Sequence, residues 1–221
     1  MPRIVRIEEA NYPYHVIQRG NRKQKVFFKD EDKSTYLEIL RTQAKFYGVE
    51  IWAYCLMSNH VHLIICPRSR KTLTLCVGEV HRQYTRMINF REGWRGHLWQ
   101  GRFKSFPLDE RYLFTAIRYV ERNPVRAKIV ARAEEYKFSS AGAHVLGNKN
   151  EILSHFYLLD EIKDWAKYLH EEEDEERLKQ IRINQETGRP LGEESFVKGL
   201  EGITGQELLK KKPGPRIKVV M

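Results

Sequence analysis

Cysteine is scarce in this chain. The three present, Cys55, Cys66 and Cys76, form no CxxC pair, so a zinc finger is excluded. An odd, sparse set reads as free thiols in a reducing compartment. No run of about 18 apolar residues occurs, so no transmembrane helix is expected. The opening MPRIVRIEEANYPYH lacks the apolar stretch of a signal peptide. Cytoplasm is the expected location. The HxHxDH run of a β-lactamase-type metal hydrolase is also missing, because Leu63-Ile64-Ile65 follow the second histidine of HVH. No internal repeat is evident.

What is present is positive charge, unevenly placed. The formal net charge is +10 over 221 residues. Residues 1–150 hold 27 Lys+Arg against 14 Asp+Glu, whereas residues 151–221 hold 12 against 15. A polyanion is the natural partner of the first part, and nucleic acid is the commonest one. At 41% apolar residues the chain can bury a core, enough for one good-sized domain with an appendage.

The patterning predicts the order β-α-β-β-α-β-α. YHVIQR alternates and stops at Gly20-Asn21. In the next segment Tyr36, Leu37, Leu40, Ala44 and Tyr47 recur at helical spacing, with Gly48 as the stop. VEIWAYCLM and HVHLIIC flank a short turn at Ser58-Asn59 and read as a hairpin. A second helix should bury Leu75, Cys76, Val80, Tyr84, Met87 and Ile88. GHLWQGRFKSFPL reads as extended, with a turn or bulge at Gly101. A third helix over DERYLFTAIRYVERNPVRAKIV should break near Asn123-Pro124, because proline disfavours α geometry at the residue before it. This is the plan of an α+β, ferredoxin-like antiparallel sheet with helices on one face. Residues 1–145 would form that domain. Residues 146–221 would form a mainly helical C-terminal extension, with a solvated acidic run at Glu171 to Glu176 and a flexible basic tail, KKKPGPRIK.

Side chains on a strand alternate, so His60 and His62 point to one face, with Cβ atoms about 7 Å apart. Val61, Leu63 and Ile65 point to the other, toward helices. The two imidazoles either converge on one metal ion or are merely surface histidines. On the third helix Leu113, Ala116, Ile117 and Val120 form the core stripe. Tyr119 and Asn123 are i and i+4 neighbours on its flank, where they can offer a phenol and an amide oxygen. A tyrosine at the rim of a core is the plainer alternative.

Taken together, HVH, YVERNPVRAKIV, YHVIQRGN, LWQGRFKS and YKFSSAGAH resemble the single-tyrosine HUH nucleases, and more closely the REP-associated tyrosine transposases. The resemblance covers roughly residues 10–145. It implies the HUH nuclease fold and an enzyme that nicks and rejoins single-stranded DNA beside a palindromic hairpin through a 5′-phosphotyrosine. Tyr119 would be the nucleophile. His60, His62 and Asn123 would hold Mg²⁺ or Mn²⁺, with metal affinity rising sharply once DNA is bound. Arg19, Asn21, Arg68, Arg70, Lys71, Arg102, Lys104, Arg118, Arg122 and Arg126 would track phosphates, and Trp99 and Phe103 would stack on unpaired bases. GRP at 188–190 and the basic tail are weaker candidates for a minor groove. The extension favours a monomer acting in cis, a nucleoid-associated cytoplasmic protein with no membrane partner. Two readings remain beside this one. The first is a hairpin-binding regulator that has lost catalysis. The second is an RNA-binding ferredoxin-like domain, which would want aromatic pairs on the sheet face in place of HxH.

Overall fold

The strand that carries His60 and His62 lies inside a four-stranded antiparallel sheet of order β2-β3-β1-β4. The computed structural model describes residues 5–209. Its strands are β1 (Tyr14–Arg19), β2 (Val49–Met57), β3 (His60–Pro67) and β4 (Lys104–Pro107). The helices α1 (Asp30–Tyr47), α2 (Thr72–Glu92) and α3 (Glu110–Glu121) fall in the predicted order. A single turn, α4 (Asn123–Arg126), follows α3. Helix α3 and this turn are separated at Arg122, where the missing amide of Pro124 ends regular bonding. The remaining helices are α5 (Ala141–Leu146), α6 (Leu158–Glu161), α7 (Trp165–His170), α8 (Glu175–Thr187) and α9 (Glu194–Thr204).

Strand alternation splits the interior into two cores. Tyr14, Val16, Val61, Leu63 and Ile65 pack with Tyr36, Leu40, Val80 and Tyr84 of α1 and α2. Ile17, Cys55, Ile64 and Phe106 pack with Leu113, Ala116, Ile117 and Val120 of α3. The expectation of helices on one face therefore needs correction. It holds for α1 and α2, but α3 covers the opposite face, the one that carries the histidines. The reason is visible in α3 itself, whose four-residue apolar stripe needs a second apolar surface. Leu75 is a smaller correction: it is exposed, and Leu73 and Val77 are buried instead. Residues 146–209 join both cores, with Phe156, Trp165, Leu178 and Ile181 on the α3 side and Val197 and Leu200 on the other. The KKKPGPRIK tail lies outside the described residues. Among those described, no helix is long and apolar enough to cross a membrane.

The loop after β1 clasps the β2–β3 turn. Gly20 N–H donates to Asn59 O (2.8 Å), and the amides of Val26 and Phe27 both donate to Ser58 O. A side chain at Gly20 would stand 2.3 Å from Gln24 O, so only glycine fits. The RGN stretch thus fixes the turn from which His60 emerges.

Candidate active site

Register gathers the candidates. Arg19 pairs with His60 and Ile17 with His62, while Lys104 pairs with Ile17. By alternation His15, Arg19, His60, His62 and Lys104 all occupy the face beneath α3. The His60 and His62 rings lie 5.0 Å apart. Tyr119 of α3 stands over them, its ring 5.8 Å from His62 and 6.0 Å from His15. It is 8% exposed, so it is less open than a rim residue would be. The Arg126 guanidinium lies over the Tyr119 ring at 4.1 Å and also donates to the Tyr119 carbonyl.

Asn123 is oriented by the last turn of α3. Its Nδ2 donates to the carbonyls of Tyr119 (3.2 Å) and Val120 (3.4 Å), which leaves Oδ1 as the atom available for a ligand. Among the described residues, no group of three or more His, Cys, Asp or Glu side chains is placed to hold a metal. The donor set here is two imidazoles and an amide, all neutral. Such a set fits a divalent ion only when an anionic oxygen, such as a phosphate, completes it.

All the imidazoles in this region are neutral at physiological pH. Burial pushes His60 down to about 4, with Arg19 adding to the effect. His15 goes to about 3 through burial and the Arg126 charge. His62 falls well below its usual value, through burial first and then its neighbours His60, His15, Arg126 and Arg19. His81, buried on the other face against Tyr36, goes to about 3 for the same first reason. The ordinary histidine value is 6.5. Below it the unfolded chain binds protons that the native protein refuses, so stability is full above pH 6.5 and falls as pH drops toward the folded values. Asp32 acts in the same direction. Burial alone raises its pKa, but hydrogen bonds from Arg91 and from the Phe28 and Lys29 amides leave it lowered. Urea unfolding is expected to show a loss of at least ~2 kcal/mol between pH 7.5 and 5. An equal midpoint at the two pH values would contradict neutral burial.

The phosphate-tracking set divides. Arg19, Arg102 and Lys104 line one cleft of about 430 Å³ beside the histidines, together with Gln18, Gln100, Gln185 and Glu186, and Lys104 is paired there with Glu186. Asn21 begins the adjoining turn, with its amide on Leu98 O. Arg68, Arg70 and Lys71 do not join them. They follow the far end of β3, roughly 25 Å from His60 by strand rise. Arg68 pairs there with Glu50, and Arg70 with Glu9 at 2.7 Å. Trp99 and Phe103 are buried in the α1–α2 core, where Trp99 packs 4.7 Å from His81, so neither ring face is open to a base. Arg118, Arg122 and Arg126 are paired with the acidic run: Arg118 with Glu171 (2.9 Å), and Arg126 and Arg122 with Glu173 (2.9 and 3.8 Å). The run is largely exposed, as expected, with Glu173 half-buried. Through Glu171 and Glu173 it also straps the segment from α3 to α4, because Arg118, Arg122 and Arg126 attract it. GRP is also committed to the fold, since the Arg189 guanidinium donates to the Leu208 and Leu209 carbonyls.

Two residues beside the histidines escaped sequence reasoning. Asn59 Oδ1 lies 2.6 Å from His60 Nδ1, and His15 Nε2 lies 2.9 Å from His62 Nδ1. Alternation placed His15 on the same face as Arg19, but only the β1–β3 register brings it to His62.

The fold is that of the tyrosine transposases. A REP-associated tyrosine transposase solved with a REP hairpin bound superposes with a TM-score of 0.57 at 17% identity, over 71% of this chain and 93% of its own. A family model described as IS200-like transposase matches residues 9–123, more than half of the chain, and the chain belongs to that family. A further solved structure, of a candidate transposase from Deinococcus radiodurans R1, is 21% identical over 55% of this chain and 97% of its own, with a TM-score of 0.39. No curated protein matches.

Proposed function

We propose that this transposase is a metal-dependent single-stranded DNA endonuclease and strand transferase, nicking beside a palindromic hairpin. The observation that carries the reading is Tyr119 set against His62, 5.8 Å between rings, on a basic face. The Tyr119 hydroxyl gives up its proton as Oη attacks phosphorus, the bond to the 3′ oxygen breaks, and one proton is returned to that oxygen. A 5′-phosphotyrosine forms, and the 3′ oxygen leaves as a hydroxyl once protonated. The ester keeps the bond energy, so attack by another 3′-hydroxyl reverses the step without ATP. His60, His62 and the Asn123 Oδ1 would hold Mg²⁺ or Mn²⁺. When bound, the ion supplies charge neutralisation at the scissile phosphate. Arg19, Arg102 and Lys104 hold the strand along their cleft by its phosphates. Tyr119 faces histidines of its own chain, which supports a monomer acting in cis. A protein of this kind works at the nucleoid, in the cytoplasm.

The test is nicking of labelled single-stranded hairpin oligonucleotides from the genomic neighbourhood with Mn²⁺. Cleaved product joined to protein is expected. Tight binding with no cleavage on any strand would assign the protein as a hairpin-binding regulator. Because the ligands are all neutral, Mn²⁺ affinity by calorimetry is expected to rise at least ~10-fold when hairpin DNA is present. Equal affinities would overturn the shared coordination of ion and phosphate.

A further inference from the structure

Each histidine has two ring nitrogens, and the hydrogen bond at one decides what the other can do. For His60 the choice is already made. The Asn59 Nδ2 donates to the Lys23 carbonyl at 3.1 Å, so its Oδ1 is the atom 2.6 Å from His60 Nδ1. A carbonyl oxygen only accepts. His60 therefore carries its proton on Nδ1 and has a lone pair at Nε2.

For His62 the partner is another imidazole. His15 Nε2 lies 2.9 Å from His62 Nδ1, and both side chains are buried. One proton is shared across that contact, and either ring can own it. If His62 owns it, His62 Nε2 has a lone pair and can bind a cation. If His15 owns it, His62 Nε2 bears a proton and cannot. His15 Nδ1 is buried with no hydrogen-bond partner in either case. An unsatisfied buried polar atom costs ~1–3 kcal/mol. An apolar ring would avoid that cost, since His15 already packs 5.2 Å from Phe106. Packing alone gives no reason for a histidine here.

We propose that His15 is a positioning residue: its Nε2 accepts from His62 Nδ1–H, fixing the tautomer and ring orientation that turn His62 Nε2 toward a divalent cation beside Tyr119. This rests on the reading of His60 and His62 as cation ligands. Asn59 and His15 are then equivalent supports, one behind each imidazole, from two different segments of the chain.

Long-range ¹H–¹⁵N correlation on the metal-free protein reads the tautomer directly. His62 is expected as Nδ1–H with an unprotonated Nε2, and the opposite tautomer would overturn the proposal. In the Mn²⁺ titration with hairpin DNA, followed by electron paramagnetic resonance, His15→Phe is expected to weaken binding about 10- to 100-fold. His15→Gln keeps an acceptor in reach and is expected to stay within about threefold of wild type. Hairpin affinity without metal and the thermal midpoint report the fold separately. Wild-type Mn²⁺ affinity in folded His15→Phe would overturn the positioning role alone. Should His15→Phe not fold, the wild-type tautomer and His15→Gln decide. Failure of the wild-type protein to bind Mn²⁺ with DNA would overturn the cation reading beneath it.

Discussion

Tyr119→Phe is expected to abolish covalent attachment to DNA and to reduce strand cleavage by at least ~10³-fold, leaving hairpin affinity within about twofold of wild type. The substitution removes one oxygen and nothing else of consequence. The ring keeps its edge contacts with His15 and His62 and its place beneath the Arg126 guanidinium. A volume-conserving change of this kind costs little stability. The Arg126 guanidinium lies over the ring, and a cation held by the histidines would add positive charge beside the oxygen that Tyr119→Phe removes. A denaturing gel with labelled hairpin oligonucleotide and Mn²⁺ decides the matter. A wild-type band shifted by the protein's mass and absent from Tyr119→Phe confirms the nucleophile. A shifted band that persists would mean another residue forms the ester.

The second large effect concerns stability. Glu121, two residues after the tyrosine, is fully buried. Its carboxylate accepts from the Ser140 hydroxyl, from His144 Nδ1 (2.6 Å) and from Trp165 Nε1 (2.8 Å). These donors come from the segment before α5, from α5 and from α7. One carboxylate therefore holds the tyrosine helix against two separate parts of the chain. Glu121→Ala leaves His144 Nδ1 and Trp165 Nε1 buried without an acceptor, although the Ser140 hydroxyl can still donate to the Tyr54 carbonyl, and it opens a void. The expected loss is ~3–5 kcal/mol, the range for breaking a buried charged network. For a chain of this length that lowers the thermal midpoint by roughly 6–20 °C. Glu121→Gln keeps the volume but offers one oxygen in place of two, so it should fall between. A loss below about 1 kcal/mol for Glu121→Ala would show the network to be incidental.

Much of the site was legible because its logic is local. HVH puts two imidazoles on one face, since strand side chains alternate wherever the strand lies. The stripe of Leu113, Ala116, Ile117 and Val120 fixes the buried side of α3, and Tyr119 and Asn123 follow on its flank. What escaped was long-range. His15 and Asn59 touch the histidines through one strand pairing and one clasped turn. Arg68 and Arg70 follow His62 closely in sequence, yet an extended strand carries them about 3.3 Å farther away with each residue. Trp99 and Phe103, expected to stack on bases, are buried because α1 and α2 leave an aromatic gap that they fill.

By itself the sequence determined the element order, the face of the histidine pair and the tyrosine–asparagine spacing, since each follows from backbone periodicity of two or 3.6 residues. Tertiary structure alone decided that α3 closes over the histidine face, that His15 stands behind His62, and that the acidic run occupies Arg118 of α3 and the two arginines just after it. The last two sets of contacts join residues 47 to 53 positions apart and Tyr119 lies farther still from the histidines it covers, and chain periodicity says nothing about which distant partner will meet a given face.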